Sequence, residues 1–174
     1  MACLLTAGRT KACKDSLGGN SKLYLYNDIE DPFTVAAGVA TAINSGITEV
    51  FEFELEGDGN TLEQSMVSDR NTGTTVNTQT LNAVFKKMDA VTSAQFNLLA
   101  YGYPQAVVKD RNGKYHAIGI DDGIDFTVVG STGGAKTDLN GYTITGVSTT
   151  GALAPILDSA TVTALLALVP TPTP

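Results

Sequence analysis

The stretch TEVFEFELEGDGN, Thr48 to Asn60, sets Glu52, Glu54 and Glu56 at alternate positions with Phe51, Phe53 and Leu55 between them. A period of two is the pattern of a strand with one wet and one dry face. Read so, the three carboxylates stand about 6.6–6.8 Å apart on one side. Neighbours at that spacing repel by about 0.6 kcal/mol in water. Residues 23–69 hold ten acids and no Lys or Arg, so the sequence offers nothing nearby to offset them. Such a stripe is either the charged wet face of an edge strand or the lining of something.

Working downstream, EGDGNTLEQSMVSD leads to the turn RNTG, Arg70 to Gly73, and then to TTVNTQTLNAVFKKMD. This predicts one long hairpin over about residues 48–88, with Asn71 and Gly73 supplying the permissive turn backbone. Its Thr-, Asn- and Gln-rich arms are too polar for a sheet covered on both faces, so the hairpin is expected to protrude and pair with something else.

Upstream, SKLYLYND alternates Leu23 and Leu25 with Tyr24 and Tyr26 as a first strand. DPFTVAAGVATAINSG could be an Ala-rich helix started by Pro32 and ended by Gly46. The β-branched Thr34, Val35, Val39, Thr41 and Ile43 around Gly38 favour two short strands instead.

After the hairpin, TSAQFNLLAYG predicts a helix over about 91–101. Thr92 and Gln95 have capping-box spacing, Phe96 and Leu99 share a face, Gly102 stands at a left-handed stop, and Pro104 blocks continuation. QAVVKD and KYHAIGI flank the turn RNG as a second hairpin. GIDFTVVGST and NGYTITGVST read as a further strand pair. The tail TVTALLALVPTPTP offers an apolar segment that can dock, then a loose Pro-Thr end. The expected fold is all-β with one α-helix, a β-sandwich or open barrel with a long protruding hairpin. Residues 1–21 form an N-terminal arm, 22–160 the sandwich and 161–174 the C-terminal segment.

The 174 residues suit one domain with a hydrophobic core. Charged residues make up only 17%, which suits a surface largely covered by copies of the same chain. A net charge of −7 argues against gripping nucleic acid or an anionic membrane. The charge is unevenly spread: Arg9, Lys11, Lys14 and Lys22 face one acid, Asp15, before the acidic run begins. A basic arm ahead of an acidic stretch can be self-complementary between subunits. Cys3 and Cys13 have no metal or redox spacing and read as free thiols in a reducing cytoplasm. The N-terminus lacks the apolar run of a signal peptide, and no segment has the length of a membrane span.

No catalytic constellation emerges. His116, the single histidine, has no nucleophile motif beside it. EGDGNTLE lacks the glycine and the closing glutamate of a calcium loop, where Thr61 and Val67 stand. Asp121, Asp122 and Asp125 share a turn without defining a function. Glycosidase chemistry needs two carboxyls in contrasting environments, whereas the three glutamates look alike. GSTGG has no lysine for a nucleotide phosphate. No enzyme activity, cofactor or metal is expected.

The order FEFELEGDGNTLEQSMVSDRNTGTTVNTQTLNAVFKKMD, then AQFNLLAYGYPQAVVKDRNGKYHAIGIDDGIDFTVVGSTGGAKTDLNGYTIT, resembles the tail tube-like virion proteins of bacteriophages, especially those of phages infecting Bacteroidetes. The likeness covers roughly residues 22–147 and is carried best by VVKDRNGKYHAIGIDDG and GGAKTDLNGYTIT. It implies a virion subunit, assembled in a bacterial cytoplasm, that forms hexameric rings stacked into a tube with other tail proteins. Inner sheets would join into one β-barrel with an electronegative bore through which genomic DNA slides unbound. Type VI secretion tube proteins share that fold. The resemblance implies that Glu52, Glu54 and Glu56 face the bore, that Asp69, Arg70, Asn71 and Gly73 reach the next ring, and that Arg9, Lys11 and Lys14 meet a neighbouring subunit. The alternatives are a capsid decoration or head–tail joining protein, a carbohydrate- or cation-binding β-sandwich module, and, last, a hydrolase.

Overall fold

The computed structural model describes residues 4–170. Cys3 and the Pro-Thr end beyond Pro170 lie outside the described residues. The strands are β1 (Asn20–Tyr26), β2 (Phe33–Ala36), β3 (Val39–Ile43), β4 (Phe51–Glu54), β5 (Thr61–Asp69), β6 (Thr74–Lys86), β7 (Gln105–Asp110), β8 (Tyr115–Ile118), β9 (Asp125–Ser131), β10 (Gly141–Thr150) and β11 (Ile156–Leu157). Two helices accompany them among the described residues, α1 (Ala90–Tyr101) and α2 (Ser159–Ala167). The protein is thus mainly β, as expected, in two sheets of order β2-β3-β11-β8-β7-β1-β4 and β5-β6-β10-β9.

The seven-stranded sheet is covered on both faces. Leu23, Leu25, Ala106, Val108 and Ile118 point at the four-stranded sheet and meet Leu81, Ile144 and Phe126 there. Tyr24, Tyr26, Val107 and Ala117 point the other way, where Ile47, Val50 and Leu165 of α2 cover them. The alternation within LYLY therefore buries both sets, each in its own core. Phe96 of α1 plugs the first core, 5.1 Å from the rings of Phe85 and Tyr142.

Four expectations change. The acidic stretch is not an arm of the hairpin. β4 pairs with β1 in the seven-stranded sheet, Glu52 opposite Tyr24 and Glu54 opposite Lys22, and the hairpin proper is β5 and β6. Residues 55–60 cross between sheets, and the buried Asn60 pins the crossing. Its Oδ1 accepts from Val84 N–H at 2.8 Å and its Nδ2 donates to the Glu56 carbonyl at 3.1 Å. Second, there are two helices, not one. Asp158 caps α2 by accepting from Thr161 N–H at 2.7 Å, and Thr161 and Leu165, four apart, turn inward. The apolar segment does dock, as a helix that lids the second core. Third, α1 is capped by Asp89, which accepts from Thr92 N–H at 2.8 Å, so Thr92 is inside the helix. Fourth, Gly102 is extended, with φ −102°.

Capping carboxylates give the fold an acid dependence. Hydrogen bonds from Thr92 hold Asp89 below the usual carboxylate range, and the Thr161 and Ala135 amides do the same for Asp158 and Asp138. At Asp110 burial opposes ionisation, yet bonds from Lys114 N–H, His116 and Asn112 N–H outweigh it and lower the value. Groups depressed on folding contribute stability that is present above their unfolded value, about pH 4, and lost as pH falls through the folded values. The thermal midpoint is therefore expected to fall steadily below about pH 4. A midpoint unchanged to pH 2 would contradict these bonds.

Candidate functional site

The four-stranded sheet has one face in the core and one in solvent. On β6, Asn77, Gln79, Leu81 and Ala83 are buried while Thr78, Thr80, Asn82 and Val84 look outward. Pairing extends this outward face across all four strands. One row runs Glu63, Thr80, Val147, Asp125, and the next runs Thr61, Asn82, Thr145, Thr127. In the second row Thr145 donates to Asn82 Oδ1 at 3.0 Å, and Asn82 donates to Thr61 at 3.4 Å. Such cross-strand pairs stiffen a sheet that has no layer above it. Glu63, Asp69 and Asp125 stand on the outward register against Lys86, three acids to one base.

Two buried amides hold this sheet to the other. Gln79 Oε1 accepts from Gly119 N–H at 3.1 Å, and Asn77 Nδ2 donates to the Ala152 carbonyl at 2.9 Å. They look like wet-face residues in the sequence but lie in the core, where backbone groups meet Gln79 Oε1 and Asn77 Nδ2 while Asn77 Oδ1 has no partner among the described residues.

The sheet ends in β5 on one side and β9 on the other, and among the described residues neither has a partner on its outer edge. Edges are usually short, charged or broken by proline. The other sheet obeys this, with four-residue strands at both its margins. β5 and β9 run nine and seven residues, have no Lys, Arg or Pro, and expose Val67 and Val129. These are two long edges on one sheet, guarded only by Glu63, Asp69 and Asp125.

The sequence-derived residues fall in three places. Glu52 and Glu54 do share a face of β4, but it is the edge of the other sheet, and Lys22 Nζ lies 2.6 Å from Glu52 and 3.5 Å from Glu54. Lys86 Nζ lies 3.5 Å from Glu56. The stripe is therefore offset by bases brought from residues 22 and 86, which are distant in sequence. The bond to Glu52 first, against burial, raises the Lys22 ammonium above its ordinary value. Leu55 is buried and Phe53 packs on the first core, while Phe51 is half exposed. Because these side chains stay in contact with solvent, Lys22→Ala is expected to cost about 1 kcal/mol, less in high salt. Urea titrations at two ionic strengths measure it.

Asp69, Arg70, Asn71 and Gly73 form the exposed tip of the β5–β6 hairpin. Asp69 Oδ1 accepts from Asn71 N–H at 2.7 Å, and Gly73 takes φ +67°. Every residue from Ser65 to Val76 is exposed, Met66, Val67 and Val76 among them, so the hairpin stands clear of the body. Arg9, Lys11 and Lys14 lie in an exposed arm without regular structure. His116 sits 3.3 Å from Asp110 at the base of a turn. Among the described residues no three His, Cys, Asp or Glu side chains converge as metal ligands, and no helix is long and apolar enough to cross a membrane.

The open edges are the feature that sequence reading missed. Their signal was the absence of Lys and Pro from TLEQSMVSD and DFTVVGS. Comparison with family models, with characterised proteins and with solved structures gives no match for this chain.

Proposed function

We propose that the chain is a self-assembling structural subunit of a phage tail tube, in which β5 of one copy pairs with β9 of the next. The observation that carries this reading is the four-stranded sheet with one uncovered polar face and two long edges free of Lys, Arg and Pro. Joining unlike edges is a heterologous contact, which closes into a ring when the rotation allows. With the six copies that the family resemblance implies, four strands each make 24. Barrels of 16–18 strands already enclose an aqueous channel, so 24 leave an open bore.

The uncovered face becomes the wall. It offers hydroxyls, small apolar groups and an excess of carboxylate, and almost no ammonium. A basic wall would hold DNA by counterion release. An acidic one keeps the phosphates off over a Debye length of about 8 Å at physiological salt. On this reading the wall's acidity comes from Glu63, Asp69 and Asp125, with Glu52, Glu54 and Glu56 lying off it. The protruding hairpin, with exposed Met66 and Val67, is then the piece that reaches an adjacent ring. The chain conducts DNA passively and performs no chemistry.

Negative-stain electron microscopy across a protein and salt series tests this. Rings or stacked tubes with an open centre are expected. Closed rings that never stack would favour a head–tail joining role, and a protein monomeric at every concentration would count against self-assembly.

A further inference from the structure

We propose that the N-terminal arm of one copy docks in the groove beneath α1 of another, forming a contact separate from the ring-closing edges. The groove is about 720 Å³, and Phe51, Phe53, Val91, Leu98, Leu99 and Tyr103 line it. Leu98 is 63% exposed and Tyr103 61%, so the isolated chain leaves a wide apolar surface wet. A monomer rarely leaves such a patch uncovered without use for it.

Three observations name the occupant. The arm carries its own unburied apolar groups: Leu4 is 79% and Leu5 99% exposed. Its charge is opposite to that of the groove's rim. Arg9, Lys11 and Lys14 follow the two leucines, whereas Asp28 lines the groove with Glu30 and Asp31 exposed just beyond it. The third is placement. Asn112 ties Leu17 by two hydrogen bonds of 2.8 Å at the Asn20 end of β1, where the arm leaves the body. The groove opens at the opposite end, against Tyr26 and Asp28. The seven residues of β1 separate the two by about 20 Å. A copy displaced along β1 therefore brings its arm to its neighbour's groove. That contact is head-to-tail and repeats without closing, as stacking requires. Leu4 and Leu5 fill the apolar floor while Arg9 and Lys11 meet the acidic rim.

The test uses full-length chains in a Cys3→Ser, Cys13→Ser background. Chains carrying Leu5→Cys are mixed with chains carrying Leu98→Cys under mild oxidation. Both positions are exposed, so neither change threatens the fold. A disulfide-linked mixed dimer is expected, forming faster than in a control mixture of Leu5→Cys with Thr149→Cys, and severalfold more slowly when Asp28→Lys is added. No excess over the control at millimolar protein overturns the proposal. So does a bond that forms only within single chains carrying both cysteines, since the arm would then serve its own groove. The two interfaces separate cleanly. Rings without the mixed dimer overturn this docking and leave the tube subunit standing, whereas mixed dimers without rings support the docking and count against the ring.

Discussion

Phe96→Ala is expected to remove about 3–5 kcal/mol of stability. Phe96 is 2% exposed and is the ring on which the first core closes. It touches Phe85 and Tyr142 at 5.1 Å and Phe53 at 6.0 Å between centroids. These three rings come from β6, β10 and β4, so one side chain joins both sheets to α1. Truncation opens a cavity among groups that cannot all collapse into it, because each ring is fixed by its own strand. For a domain of this size the loss lowers the thermal midpoint by on the order of 10 °C. Phe96→Leu should cost markedly less. Equal effects of the two changes in urea titrations would mean that filling the cavity with bulk recovers nothing and would contradict the cavity account.

A proline scan across β9 is expected to sort into two classes with opposite effects. In a strand paired on one side, alternate N–H groups point to the partner and the rest point to the open edge. Among Thr127, Val128 and Val129, proline at a position bonded to β10 removes a ladder bond and destabilises the chain by about 1–3 kcal/mol. At a position facing the empty edge it leaves the isolated chain's thermal midpoint nearly unchanged. That second class should nevertheless lose assembly. Losing about 1.4 kcal/mol per interface raises the required concentration about tenfold, and a ring suffers that loss at every joint. Sedimentation velocity beside thermal melts reads both quantities. If edge-facing prolines assemble as well as the parent, β9 is not a joint.

The sequence made the strands legible wherever one face was apolar and the other polar. The Thr-Val run of β9 read correctly for that reason. LYLY and QAVVKD, buried on both faces, read as strands from their apolar runs and the turn beside them, and Gly38 with its β-branched neighbours separated two strands from a helix. It misled where local pattern and tertiary pairing diverge. FEFELEG and TLEQSMVSD are consecutive and both strand-like, so they read as one arm. Gly57 at φ +77° and Gly59 at φ +93°, with Asn60 holding the crossing, send them to different sheets. The hairpin's returning strand looked poorly patterned because its core face carries Asn77 and Gln79, which bond to backbone groups 75 and 40 residues away. The glutamate stripe looked unopposed because Lys22 and Lys86 reach it only through folding. The C-terminal helix was missed for lack of polar contrast: only Thr161 and Leu165 turn inward, and the exposed side carries Ala160, Leu166 and Ala167 instead of charges. The two open edges left only a weak trace, the absence of Lys and Pro from β5 and β9, because which strands lie at an edge is a property of sheet order and not of any one strand.

Amide hydrogen exchange, compared between assembled and dilute protein, tests the edge-to-edge joint most directly. An unpaired edge exchanges its outward N–H groups quickly, and pairing protects them. Protection is predicted to rise together in Thr61–Asp69 and Asp125–Ser131, in alternate amides only, while the margins Phe33–Ala36 and Phe51–Glu54 gain little by this route. Assembled material in which β5 and β9 exchange as fast as in the dilute chain would contradict a wall built by joining these strands.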